Sequence, residues 1–143
     1  LVSAMVELCR EEMEHFGMVH DLILKRGFEL GQERKDDYVN KLSKFMVKGR
    51  GEELRLVDRL LFSAMIEARS CERFKMLSEK IKDKELATFY RDLMISEANH
   101  YTLFIGFARQ YSSTIDVDAR WQEWIAFETE LMKNYSKKET MHG

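Results

Sequence analysis

The chain has 143 residues, enough for one domain that buries about two-thirds of its unfolded surface but not for two ordinary domains. Its formal net charge is −2, so overall charge provides no general attraction to nucleic acid or to anionic membranes. Proline is absent, glycine is scarce, and Leu, Met, Ala, Glu and Lys are frequent. This composition predicts helix along nearly the whole chain, and therefore an all-α fold in a single domain, residues 1–143.

The two cysteines, Cys9 and Cys71, form neither a CxxC motif nor a disulfide framework, which favours a reducing cytoplasm. No apolar run approaches the roughly 18 to 20 residues that a membrane-spanning helix requires. No signal-peptide pattern precedes the first helix. We therefore expect a cytoplasmic protein without a membrane partner. Because Leu1 already lies within an amphipathic pattern, we also expect a further segment on its N-terminal side.

The first predicted helix covers residues 1–26 and ends at Gly27, a residue type common just after a helix. Glu12 and His15 lie three residues apart on the buried face of this helix, so their side chains are neighbours. The apolar positions of the same stripe are Met5, Leu8, Phe16, Val19 and Ile23.

Residues 27–51 break this strong periodicity and form a connection long enough to run the length of a helical bundle. A short amphipathic piece is predicted at residues 38–47. Residues 25–50 contain eight basic and four acidic side chains, a local charge of +4. We predict that four of these bases contact nucleic-acid phosphates, with an ordinary solvated surface as the alternative. They are Lys41, Lys44, Lys48 and Arg50.

Two long helices are predicted at about residues 52–81 and 84–111, joined by a polar turn. Glu67 is the single acidic interruption on the apolar stripe of the first, and Glu97 and His100 interrupt the stripe of the second. Glu67 lies 15 residues before position 82 and Glu97 lies 15 residues after it. At about 1.5 Å per residue, the two carboxylates are therefore predicted to lie at the same depth of an antiparallel hairpin.

A last helix is predicted at about residues 118–135, and Glu128 falls on its apolar stripe. Glu128 is either a charge at the edge of the surface or a substitute metal ligand. The apolar side chains predicted to be buried in this helix are Trp121, Trp124, Ile125, Leu131 and Tyr135.

Carboxylate-bridged di-iron bundles take Glu-x-x-His from two helices and single glutamates from others, and this chain has two such pairs and Glu67 on apolar helix faces. Carboxylates neutralise and bridge two cations, whereas each imidazole binds one metal ion and leaves positions open for dioxygen. The predicted metal ligands and catalytic residues are Glu12, His15, Glu67, Glu97 and His100. For each pair alone, a helix salt bridge or a hydrogen-bonded core histidine is the alternative.

Three stretches resemble the MiaE family of tRNA hydroxylases. They are REEMEHF at residues 10–16, IEARSCERF at residues 66–74, and FYRDL at residues 89–93 together with SEANH at residues 96–100. The second stretch is the most distinctive, since Glu-x-x-His alone fits ferritins, rubrerythrins and other oxidases equally well. The resemblance covers most of residues 1–111.

The resemblance implies a ferritin-like helical bundle whose two iron ions are bound by the five residues named above. It implies a sixth ligand, a glutamate on a preceding helix, and we expect the first bundle helix to be missing from this chain. The implied reaction hydroxylates the isopentenyl group of 2-methylthio-isopentenyl-adenosine beside the tRNA anticodon. It uses dioxygen and electrons from an external donor, a reductase or a ferredoxin-like protein.

Two other classes of protein remain open at this point. A ferritin-like or rubrerythrin-like iron-binding or ferroxidase protein would use similar ligands. In a metal-free helical interaction module, Glu12, Glu67 and Glu97 would instead pair with Arg69, Arg73 or Arg91.

Overall fold

The computed structural model of the chain describes residues 1–32, 34–49 and 51–133. Within these ranges every regular element is helical, so the all-α prediction is confirmed. The elements are α1 (Val2–Lys25), α2 (Asp37–Leu42), a 3-10 turn (Ser43–Phe45), α3 (Glu52–Lys80), α4 (Lys84–Gln110) and α5 (Val117–Lys133). The chain divides into two compact units, Leu1–Lys35 and Asp36–Gly143. The assignment of residues 1–143 to one domain stays a prediction.

The first unit consists of α1 and the segment that follows it. The helix ends as predicted, because Gly27 adopts a φ of 77°, which glycine tolerates best, and its N–H donates to the Leu24 carbonyl at 2.9 Å. The assignment of Phe16 to a buried stripe is wrong, since this side chain is 53% exposed. Its ring stacks on His20, one turn along the same helix, with ring centroids 6.3 Å apart.

The second unit is built on an antiparallel hairpin of α3 and α4. Only residues 81–83 separate the two helices, and the Asp83 carboxylate caps α4 by accepting the Leu86 N–H at 3.1 Å. Apolar side chains pack along the hairpin, and the buried ones are Val57, Leu60, Leu61, Ala64, Met65 and Phe74 of α3 with Leu93, Phe104, Ile105 and Ala108 of α4. The second long helix was predicted to extend to about residue 111, but Tyr111 follows the last helical turn and is 39% exposed. No helix among the described residues is both long and apolar enough to cross a lipid bilayer.

Helix α5 packs on this hairpin through Trp124, which is completely buried. Phe45 of the 3-10 turn meets Trp124 edge-on at 4.9 Å and stacks on Phe127 at 4.5 Å between ring centroids. The prediction that Ile125 is buried is wrong. This residue follows Trp124 in the sequence, but its side chain is 38% exposed. The predicted burial of Tyr135 lies outside the described residues.

Asp58 of α3 connects three parts of the second unit, although its side chain is only 1% exposed. Its carboxylate accepts hydrogen bonds from Arg120 of α5, from Nε at 2.8 Å and from Nη2 at 2.9 Å. It also accepts the indole N–H of Trp124 at 3.3 Å and the backbone N–H of Val47 at 2.7 Å. The hydrogen bonds that Arg120 donates to Asp58 raise the pKa of the Arg120 guanidinium. One buried carboxylate therefore fixes α5 and the residue 46–49 loop against α3.

Asp58→Asn should destabilise the protein by about 3 kcal/mol, because it leaves the Arg120 guanidinium, whose side chain is 13% exposed, without its buried counter-charge. Urea unfolding followed by circular dichroism measures the change. Glu123→Gln is the matched control, since Glu123 pairs with the same guanidinium but is 59% exposed. The control should change the unfolding free energy by less than about 0.5 kcal/mol, and equal losses for both variants would contradict the role of Asp58.

Glu53 in the first turn of α3 binds the segment that follows α4. Its carboxylate accepts the backbone N–H groups of Ser113 and, at 2.8 Å, Thr114, and it accepts the Ser112 hydroxyl at 3.0 Å. These hydrogen bonds, led by the one from the Thr114 backbone, lower the pKa of Glu53 to about 2. The charged form of Glu53 therefore fastens the end of α4 to the start of α3.

The stabilisation from Glu53 should be complete above its unfolded pKa, near 4.5, and should disappear as the pH falls towards about 2. Melting temperatures of the wild type and Glu53→Gln should therefore differ at neutral pH and converge in acid. Glu52→Gln, whose side chain is 97% exposed, is the control in the same helical turn and should follow the wild type. A difference between wild type and Glu53→Gln that is independent of pH would contradict this account.

Candidate metal centre

Three predicted ligands meet inside the α3–α4 hairpin. Glu67, Glu97 and His100 each have one potential ligand atom within 4.8 Å of those of the other two. Glu97 and His100 are buried, with 7% and 3% exposure, and Glu67 is half-buried. The helical rise of about 1.5 Å per residue predicted that Glu67 and Glu97 lie at equal depth, and the hairpin has this register.

The position of Glu97 and His100 on α4 follows from helical periodicity. The two residues are three apart and share a face with Leu93 and Phe104, which lie one turn before and one turn after them and are also buried. A carboxylate surrounded by such side chains is costly unless an opposite charge or hydrogen-bond donors offset its desolvation. The apolar neighbours thus favour an opposite charge beside this carboxylate.

The donor set fits a transition-metal ion. Two carboxylates held within 4.8 Å of each other repel unless a cation or proton lies between them, and an imidazole nitrogen adds a ligand typical of iron, zinc or copper sites. Glu67, Glu97 and His100 are therefore the residues of the second unit that could hold a metal ion.

The first unit has the other predicted pair, on α1. Glu12 Oε2 and His15 Nδ1 lie 3.7 Å apart, as expected for side chains three residues apart on one helix. Within this unit the pair thus presents a carboxylate and an imidazole in the same direction. The prediction that Glu12 and His15 bind the same metal centre as the hairpin residues stays a prediction.

Cys71 lies one turn after Glu67 on α3, where a thiol could either pack in the core or bind a metal ion. Burial, followed by the negative charge of Glu97, raises the pKa of the Cys71 thiol. Metal ligation requires the thiolate, which this environment disfavours in the absence of a metal ion. The physical setting of Cys71 therefore agrees with a role in packing.

Glu128 of α5 is engaged by other side chains. Its Oε1 accepts the Tyr38 hydroxyl at 3.3 Å and lies 4.0 Å from Nε of Arg69, whose Nη1 pairs with Glu72 at 2.6 Å. Burial, followed by the charge of Glu128, raises the pKa of the completely buried Tyr38. Glu128 thus links α2 and α3 to α5, and this interaction argues against its use as a substitute metal ligand.

Sequence reasoning missed two of these polar anchors. The prediction that Glu67 is the single acid on the buried face of α3 is wrong, because Asp58 is buried and falls at helical spacing with Leu61 and Met65, which was a detectable signal. Tyr38 is the first residue of the short amphipathic piece predicted at residues 38–47, and its aromatic ring at that position was a signal for burial. Glu128 was noted on the apolar stripe of its own helix, but its pairing with Tyr38 was not predicted, and Arg120, which is distant from Asp58 in the sequence, had no comparable signal.

The predicted nucleic-acid contacts lie on the connection before α3. Lys41 of α2, Lys44 of the 3-10 turn and Lys48 of the following loop are all exposed. Arg50, the fourth member of the set, lies outside the described residues. The role of these bases stays a prediction.

The structure is similar to a solved protein described as Protein 43 with aldehyde deformylating oxygenase activity from Synechococcus. The TM-score is 0.87 at 31% sequence identity, and the match covers 99% of this chain and 71% of the other. This similarity confirms the predicted ferritin-like fold class.

Two relatives are both described as tRNA 2-(methylsulfanyl)-N(6)-isopentenyladenosine(37) hydroxylase. The Pseudomonas putida protein is 37% identical over 144 residues, and the Salmonella typhimurium protein is 35% identical over 143. Each match covers 100% of this chain, which spans 68% of the first relative and only 52% of the second. The family model described as tRNA-(MS[2]IO[6]A)-hydroxylase (MiaE) matches residues 1–143. The family resemblance predicted from the sequence is thus confirmed, and the chain belongs to the MiaE family of tRNA hydroxylases.

Proposed function

We propose that the protein is a di-iron monooxygenase that hydroxylates the isopentenyl group of 2-methylthio-isopentenyl-adenosine beside the tRNA anticodon. The observation that supports this proposal most strongly is the convergence of Glu67, Glu97 and His100 inside the α3–α4 hairpin of a chain from this family. Carboxylates and an imidazole are the ligands that di-iron bundles use. The proposed cofactor is two iron ions, and the proposed co-substrate is dioxygen.

Five side chains are proposed to hold the iron ions. Glu12 with His15 would hold one ion, Glu97 with His100 would hold the other, and Glu67 would supply a further carboxylate. The support is chemical: each pair supplies a carboxylate and an imidazole from one helix face, and Glu67 adds a carboxylate within 4.8 Å of Glu97 and His100. When bound, the di-iron centre would supply the oxygen-activating chemistry, with electrons from an external reductase or ferredoxin-like donor.

The apolar residues beside the hairpin ligands would keep water from the reacting prenyl group. Leu93 and Phe104 are 4% and 6% exposed and share the face of α4 that presents Glu97 and His100. An isopentenyl group gains free energy by leaving water for such a surface, at roughly 25 cal/mol per Å² of buried apolar area. A dry surrounding also protects a reactive oxidant from side reactions.

Glu97→Gln should lower the affinity for iron by about tenfold or more and abolish hydroxylation, because a neutral amide replaces a buried anionic ligand. Metal analysis of protein purified from iron-supplied cells measures the first effect. Glu72→Gln is the matched control on α3, since this side chain is 68% exposed and pairs with Arg69. The control should retain wild-type iron, and iron retained by Glu97→Gln would contradict its assignment as a ligand.

Deletion of the gene should remove the hydroxylated prenyl-adenosine from cellular tRNA and leave its unhydroxylated precursor. Mass spectrometry of digested tRNA measures both nucleosides. A plasmid copy should restore the modification, whereas a copy with His100→Ala should not, because it lacks the buried imidazole. Persistence of the modified nucleoside in the deletion strain would refute the proposed activity.

A further inference from the structure

We propose that a basic depression, formed by residues 46–49 and the first turns of α3, binds the phosphodiester backbone of the tRNA. This inference rests on the proposed function and identifies the surface that holds the substrate. The depression has a volume of about 330 Å³ and lies within the second unit. Its lining residues are Met46, Val47, Lys48, Gly49, Arg55 and Arg59, so three of the six are cationic and none is acidic.

The loop of residues 46–49, on one side of the basic depression, is held in place by contacts with buried side chains. The backbone N–H of Val47 donates to buried Asp58 at 2.7 Å, and Phe45 lies 4.5 Å from the guanidinium carbon of Arg120, which binds the same carboxylate. Gly49 turns the chain with a φ of 82°, a conformation that favours glycine. Lys48 therefore starts from a fixed backbone position relative to α3. This preorganisation lowers the entropy lost on binding.

The charges of the basic depression are available to an anion. Lys48 and Arg59 are exposed and form no ion pair with any residue in the ranges 1–32, 34–49 and 51–133. Nη2 of Arg55 lies 3.8 Å from Oε1 of Glu52. Because the Glu52 side chain is 97% exposed, this surface pair contributes little free energy. Three cations around one concave surface thus complement the several phosphates of a nucleic-acid backbone better than they complement a single anion.

The location and the residue types both favour RNA. Arg55 and Arg59 are one turn apart on α3, and each guanidinium can bind two oxygens of one phosphate. Arg59 precedes Glu67 by eight residues, which is about 12 Å along the helix axis. A few nucleotides of single-stranded RNA span this distance. A base near the hairpin ligands and a neighbouring phosphate in the basic depression can thus belong to one anticodon loop.

The test compares two triple variants of the full-length protein, loaded with iron, in binding to an anticodon stem-loop RNA that contains 2-methylthio-isopentenyl-adenosine. The first variant combines Lys48→Glu, Arg55→Glu and Arg59→Glu. The matched control reverses the same number of charges at the α3–α4 turn, at the opposite end of the hairpin, with Lys80→Glu, Lys82→Glu and Lys84→Glu. Fluorescence anisotropy gives the Kd between about 50 and 200 mM salt.

The variant of the basic depression should bind the RNA at least about tenfold more weakly at low salt, and the slope of log K against log salt should fall by about 2, since each lost phosphate contact on a single strand removes roughly 0.7. The control should stay within about twofold of the wild type. A milder variant, with glutamine at the same three positions, should show a smaller loss in the same direction at unchanged iron content and melting temperature.

The proposed surface would be overturned if the glutamate and glutamine triple variants both bound RNA with the affinity and salt slope of the wild type. Hydroxylation by the wild-type protein would still leave the proposed function intact. The proposed surface would also be overturned if the variants bound RNA with unchanged affinity but hydroxylated it more slowly when an acidic protein supplied the electrons. That result would assign the basic depression to the electron donor. A wild-type protein that neither binds nor hydroxylates the RNA would refute the proposed function itself.

Discussion

The cost of burying carboxylates is the constraint on which this structure depends. Glu97 and Asp58 both lie within apolar helix faces, and neither is tolerable there as an isolated charge. The negative charge of Asp58 is compensated within the fold by Arg120 and by hydrogen bonds from Trp124 and the Val47 backbone. Glu97 instead faces a second carboxylate and a histidine, an arrangement that a metal ion stabilises. The same physical requirement thus produces a structural anchor at one place and a candidate ligand set at the other.

The two places are connected through α3. Asp58 and Glu67 lie nine residues apart on one continuous helix, about 13 Å along its axis, so the element that presents the candidate ligand Glu67 to α4 also fixes α5 and the residue 46–49 loop. A rigid helix transmits position better than a loop does, and metal coordination tolerates only small errors in ligand position. The stability of the outer elements and the geometry of the ligands therefore depend on the same helix.

Sequence reasoning could predict those features whose partners are set by helical periodicity. The depth of Glu67 and Glu97 followed from the turn position and the rise per residue, because one short turn determines the register of a hairpin. The partnership of Asp58 with Arg120 could not be derived in this way, since it depends on how a third helix crosses the hairpin. Ile125 was assigned to the core for a related reason: hydrophobicity alone does not define which side of α5 faces its neighbours.

Fold and ligand chemistry do not by themselves determine the substrate. The similar solved structure is described as having aldehyde deformylating oxygenase activity, whereas the two relatives are described as tRNA hydroxylases. Proteins of one fold can act on molecules that differ greatly in size and charge, so substrate choice must arise from features outside the shared helical scaffold. A tRNA carries many phosphates that an aldehyde lacks, and exposed cations can bind these at a distance from the reacting atom. Residues that distinguish the two kinds of substrate are therefore to be sought in surface features such as the basic depression rather than among the candidate metal ligands.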